Sequence, residues 1–112
     1  MKQLLEKSLL QKIERLEAFE DRMKIRLENI SVSIKDDDWV KFFLEIHPQK
    51  GNKLEENMII ECILYDSNGG ILDRDNNWLD SEDFFGFEVM EFSFQLDNIL
   101  DRISKVRIYP KK

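Results

Sequence analysis

Two side chains in this sequence could act as a general base or a nucleophile, His47 and Cys62, and each residue type occurs once. His47 alone has an ordinary pKa near neutrality. Glu45 lies two residues before it in an alternating stretch, so the two would share a strand face as a carboxylate–imidazole pair. No further group completes a set of catalytic roles around them, which leaves a small hydrolase built on His47 and acidic residues as the weakest reading. Cys62 falls in the middle of an apolar run, where a free cysteine behaves as a small hydrophobe. No basic residue adjoins it to favour the thiolate. A lone cysteine also excludes an intrachain disulfide, and with one histidine it leaves a zinc site short of ligands.

The acidic segments invite a calcium test. Asp66-x-Asn68 and Asp73-x-Asp75-x-Asn77 both begin like an EF-hand loop. The first would need Gly where Ile71 stands and Glu where Asn77 stands. The second has Trp78 at the glycine position and Phe84 at the final Glu position. Both fail. A looser site drawn from Asp73, Asp75, Asp80 and Asp83, with Trp78 beside it, would make the Asp73–Asp83 loop a calcium- or carbohydrate-dependent binding site. Carboxylate pairs such as Glu82 and Asp83 carry little weight in so acidic a chain. No phosphate loop, nucleophile elbow or zinc-protease helix is present, and no cofactor is expected.

Charge narrows the partners. The 112 residues carry 17 Lys and Arg against 23 Asp and Glu, a net charge of −6. Such a chain repels nucleic-acid backbones and anionic membranes. Its concentrated basic stretch, Lys105, Arg107, Lys111 and Lys112, reads as a solvated strand face and tail. The amino-terminal residues contain no continuous apolar stretch of signal-peptide length, so the expected protein is soluble and cytoplasmic.

The elements that must position these groups follow from hydrophobic period. Leu5, Leu9, Ile13, Leu16 and Phe19 form a helical stripe, which predicts one amphipathic helix over residues 1–20. From Arg22 the period becomes two, with Met23, Ile25 and Leu27 on one face. The alternation slips by one residue before Ile30, Val32 and Ile34, so a bulge is expected near Glu28 and Asn29. Asp36, Asp37 and Asp38 make a turn. Val40, Phe42, Leu44 and Ile46 alternate up to His47-Pro48. Met58–Tyr65 is apolar on both faces except at Glu61, as in a central strand. Asn68-Gly69 signals a hairpin. Phe85, Phe87 and Val89 have one parity and Phe92, Phe94 and Leu96 the other, which suggests a second bulge near Met90 and Glu91. Asp97–Ile103 fits a helical turn, and Val106, Ile108 and Tyr109 a last strand. About six short strands without crossover helices predict an antiparallel sandwich or barrel.

The stretch Cys62-Ile63-Leu64-Tyr65-Asp66 running into Ser67-Asn68-Gly69-Gly70 resembles the signature of the FxLYD family. Leu64, Tyr65 and Asp66 match its letters, while Cys62 stands where the family usually has Phe. Residues 85–96 and Lys105-Val106-Arg107-Ile108 look like the closing strands of such domains. The resemblance covers roughly residues 22–109. It implies an immunoglobulin-like β-sandwich and a non-catalytic extracytoplasmic or accessory domain, with no catalytic residues to carry over. The expected architecture is therefore a mainly β chain, an antiparallel immunoglobulin-like sandwich of about six to seven strands with one N-terminal amphipathic helix. It forms a single domain over residues 1–112, the helix in 1–20 and the sandwich in 21–112.

The aromatic residues point to function. Phe42 and Phe43 are adjacent, as are Phe84 and Phe85, so on strands one ring of each pair must leave the sandwich core. Trp39 and Trp78 sit beside turns. Either the helix covers these rings, or they form a patch for a partner. The expectation is a non-enzymatic interaction or adaptor domain that binds a protein or a second copy of itself. Its contacts would come from Leu5, Leu9, Leu16 and Phe19 on the helix and from Trp39, Phe43, Trp78 and Phe84 on the sandwich.

Overall fold

The computed structural model of the chain describes residues 2–36, 39–95 and 100–112. The expected helix over residues 1–20 is interrupted. Helix α1 spans Lys2–Gln11, strand β1 spans Ile13–Arg15, and a second helix, α2, spans Glu17–Met23. Tertiary pairing overrides the helical stripe at Ile13. There β1 lies parallel to the last strand, β7 (Lys105–Lys111), with Ile13 opposite Val106. The Val106 N–H donates to the Lys12 carbonyl at 3.0 Å, so the break closes a sheet edge that a continuous helix would leave open. Helix α2 carries Glu17 and Glu20 in its first turn, where carboxylates favour the helix dipole. It stops at Lys24, whose backbone is left-handed (φ 61°).

The remaining strands are β2 (Ile25–Ile34), β3 (Trp39–Pro48), β4 (Met58–Tyr65), β5 (Ile71–Leu79) and β6 (Glu88–Gln95). They build two sheets, one of four strands in the order β1-β7-β4-β5 and one of three in the order β2-β3-β6. Apart from β1, every pairing is antiparallel. The inner faces meet in one hydrophobic cluster that includes Phe42, Leu44, Ile46, Ile60, Cys62, Leu64, Phe92 and Ile108. The expected sandwich is thus observed, with seven strands among the described residues. β4 is an interior strand of the four-stranded sheet, between β7 and β5, as the apolar run implied.

The slip in β2 is a bulge between Glu28 and Ser31, with Asn29 at φ 53°. The second expected bulge does not form. β6 pairs with β3 without a shift from Trp39–Gln95 to Ile46–Glu88. Within β6, Val89 and the buried Met90, Phe92 and Phe94 alternate on two faces of a regular strand, while Phe85 and Phe87 precede it. Met90, Phe92 and Phe94 are buried, whereas Phe85, Phe87 and Val89 are exposed. The hairpin after β4 closes as expected. Asp66 Oδ1 accepts the N–H groups of Asn68 (2.9 Å) and Gly70 (2.8 Å), and Gly69 takes φ 82°. Asp37 and Asp38 of the expected acidic turn, and residues 96–99, lie outside the described residues. A 3-10 turn occupies Leu100–Arg102.

Both N-terminal helices are tied to the sandwich. Leu9 of α1 is buried, and Glu6 accepts the Ile34 N–H at 2.7 Å across the end of β2. Glu20 of α2 is also buried. Its carboxylate accepts Arg15 Nη2 at 2.6 Å, Arg15 Nε at 3.1 Å and the Leu27 N–H at 3.1 Å. This one carboxylate joins β1, α2 and β2.

Candidate functional site

The outer face of the three-stranded sheet is built by alternation on β3 and β6. Lys41, Phe43, Glu45 and His47 stand opposite the buried Val40, Phe42, Leu44 and Ile46. In register, Phe43 faces Glu91 and Glu45 faces Val89. His47 stacks on Phe87, with ring centroids 5.1 Å apart and an interplanar angle of 7°. Its Nε2–H donates to Glu45 Oε1 at 2.8 Å, and Asn29 Nδ2 from the β2 bulge donates to the same oxygen at 2.9 Å. These two hydrogen bonds, His47 first, hold the Glu45 carboxyl below its ordinary range. Its share of stability is therefore present above the ordinary carboxylate range and lost as pH falls through the lowered value.

The carboxylate–imidazole pair foreseen from spacing thus exists, but it is shaped as a support for an aromatic ring. Beside it lies an apolar strip. Val89 is 65% exposed, Phe87 is half exposed and Phe43 is partly covered. Phe85 continues the strip into the loop before β6, 66% exposed under the ammonium of Lys53, 5.1 Å from its ring centroid. Trp39 lies at the far end of β3, partly exposed over a shallow depression lined by Lys35, Lys41 and Ser93.

The eight residues singled out from the sequence do not form one surface. Leu9 and Phe84 are core residues. For the Phe84–Phe85 pair the outward ring is Phe85, not Phe84, because Phe84 turns into the core cluster. For Phe42–Phe43 the outward ring is Phe43, as expected. Leu16 is half-buried at the entry to α2, and Phe19 meets Tyr109 of β7 edge-to-face at 5.3 Å. Leu5 is partly exposed on α1. Trp78 stands on the outer face of the other sheet, opposite Ile59. Sequence reading missed Phe85, Phe87 and Val89 as a surface. For Val89 the alternation of β6 was the available signal, whereas Phe85 and Phe87 precede the strand.

The Asp73–Asp83 segment is not a loop over its first half, because residues 71–79 form β5. Asp73 and Asp75 pair with the inward residues Leu64 and Cys62, whereas Trp78 points outward, so the strand's alternation separates them. β5 is the edge strand, and inward-facing carboxylates blunt such an edge against further strand pairing. Among the described residues, no group of three His, Cys, Asp or Glu is arranged to hold a metal.

Cys62 is buried in the inner face of β4, and burial, with Asp75 and Glu61 nearby, pushes its thiol far up. Thiol-specific labelling of the native protein should be slower than labelling in denaturant by several orders of magnitude. Rapid native labelling would show that β4 is not held as described.

The outer face of the four-stranded sheet has a different character. Glu61 projects outward at the centre of β4 yet is only 1% exposed. Arg74 Nη2 of β5 and Lys111 Nζ of β7 both reach its Oε1, Lys111 at 3.5 Å, and its Oε2 is buried without a hydrogen-bond partner. Further along, Glu14 of β1 is shared by Arg107 Nε at 3.2 Å and Lys105 Nζ at 3.7 Å. The Arg107 guanidinium lies over the Tyr65 ring. Among the described residues, no helix is long and apolar enough to cross a membrane.

These features define a small two-sheet β-sandwich domain with helical packing at its amino end. The structure of cj0090 from Campylobacter jejuni is similar, with a TM-score of 0.50 at 10% identity, covering 89% of this chain and 96% of that one. A DUF1425 family member from Shewanella sp. pv-4 gives a TM-score of 0.47 at 11% identity, over 79% of this chain and 77% of that one. At such identity the first likeness concerns the fold alone. No family model matches the chain, and no curated protein does.

Proposed function

We propose that this protein is a non-enzymatic interaction domain, and that the outer face of its three-stranded sheet is where a protein partner docks. The observation that supports this most is the apolar strip formed by Phe43, Phe87 and Val89 around the His47–Phe87 stack. Exposed aromatic rings next to a satisfied polar pair are the composition of an interface centre with a polar rim. The ring is held in place before binding, because His47 is bonded to Glu45, whose carboxylate Asn29 holds in turn. Less ordering entropy is then lost on association.

The N-terminal helix was the expected binding element. Leu9 is buried and Glu6 accepts the Ile34 N–H, which ties α1 to its own sandwich, while Leu4, Leu5 and Leu10 keep exposed surface. We place the main contact on the sheet face instead. The test compares capture by the full chain with capture by a Phe87→Ser, Val89→Ser double variant. Both positions are exposed, so the melting temperature should stay within a few degrees. A partner retained by the parent and lost by the variant supports the reading. Equal capture by both overturns it.

A further inference from the structure

We propose that the outer face of the four-stranded sheet is a second docking surface, and that its occupant is an acidic peptide segment laid across Arg74, Arg107 and Trp78. This inference concerns the opposite side of the sandwich and stands independently of the apolar strip.

The argument begins with charge. The chain is acidic overall, at −6, yet on this face each carboxylate is shared by two cations. Glu14 serves Lys105 and Arg107, and Glu61 serves Arg74 and Lys111. The face therefore holds an excess of positive charge on an acidic molecule, and it complements a negatively charged occupant.

The second observation is the geometry at Glu61. A carboxylate buried to this degree is stable when both its oxygens are satisfied. Here Arg74 and Lys111 converge on Oε1, and Oε2 has no partner. A guanidinium and an ammonium carry more donors than one shared oxygen can take. Glu61 thus acts as a positioning residue. It fixes two part-exposed cations over the sheet while leaving donor capacity for a ligand carboxylate.

The third is the apolar component. Trp78, 59% exposed, stands on this face beside Ile59, and Ile71 is exposed near its other end opposite Tyr65. Arginines interspersed with aromatic rings are the residue types that dominate binding energy at protein interfaces. A peptide alternating acidic and apolar residues matches that surface better than a phosphate backbone does, because its apolar side chains can cover Trp78 and Ile71.

The experiment uses the full chain and a fluorescein-labelled peptide alternating Glu and Val. A Lys–Val peptide of equal length and an oligothymidylate serve as comparators. An Arg107→Gln, Trp78→Ala double variant leaves Glu61 and both its cations in place, and its melting curve is recorded alongside. The acidic peptide should bind, weaken with added salt, and bind the double variant roughly tenfold less well. Binding of both peptides alike, no binding of the acidic peptide, or no loss in a folded variant would overturn the proposal. Tighter binding of oligothymidylate would replace it with a nucleic-acid surface. Concentration-dependent self-association lost in the same variant would make the occupant a second copy of this chain. Failure here leaves the Phe87–Val89 test untouched, since that surface carries different residues.

Discussion

Replacing Phe84 with Ala is expected to destabilise the protein by about 3–5 kcal/mol, whereas Phe85→Ala should change stability by less than about 0.5 kcal/mol. The two rings are neighbours in sequence and identical in type, and differ only in direction. Phe84 has no exposed surface, so truncating it leaves a cavity in a packed core. Phe85 is largely in solvent, with Lys53 over its ring. Urea unfolding of both variants decides the matter. A comparable loss in both, or a larger loss at Phe85, would mean that the loop entering β6 has the opposite orientation. The result also bears on function, because Phe85 extends the proposed docking strip and Phe84 cannot.

The second large effect concerns Glu61, and its sign depends on which partner is removed. Replacing Arg74 and Lys111 together with Ala strips a buried carboxylate of its counter-charges, and should cost about 3–5 kcal/mol. Replacing Glu61 itself with Leu removes the buried charge and the unpartnered Oε2. That substitution should be neutral or stabilising, by as much as roughly 1–4 kcal/mol. Chemical denaturation at neutral pH separates the two. If Glu61→Leu destabilised as strongly as loss of both cations, the carboxylate would be a net source of stability and its incomplete hydrogen bonding would carry no meaning.

These expectations also show where sequence reading succeeds. The two-residue alternation of Val40, Phe42, Leu44 and Ile46 is imposed by strand geometry, so the face they bury could be read directly. The same holds for the bulge at Glu28 and Asn29, where one extra residue must be absorbed, and for the Asp66–Gly70 hairpin. It holds too for β4 as an interior strand, which lies between β7 and β5 in its sheet. The Glu45–His47 pair was legible because residues two apart on a strand share a face.

Other features depend on contacts between residues far apart in the chain. Residues 1–20 carry a helical stripe, and local propensity alone favours one helix. The open edge of β7, 93 residues away, competes for Ile13 and breaks it. The Asp73–Asp83 segment has the composition of a loop, yet β4 offers its N–H and C=O groups to residues 71–79 and makes them a strand. The choice between Phe84 and Phe85 has no local signal, because adjacent identical side chains become distinguishable only when the loop meets the core. Glu61 looked like a polar interruption in an apolar run, and its two cations come from strands on either side of β4. Alternation and turn chemistry, which are local, were therefore determined by the sequence on its own. Edge pairing, the direction of the loop aromatics and the clustering of charge were decided only by the tertiary structure, since each is set by which distant strands become neighbours.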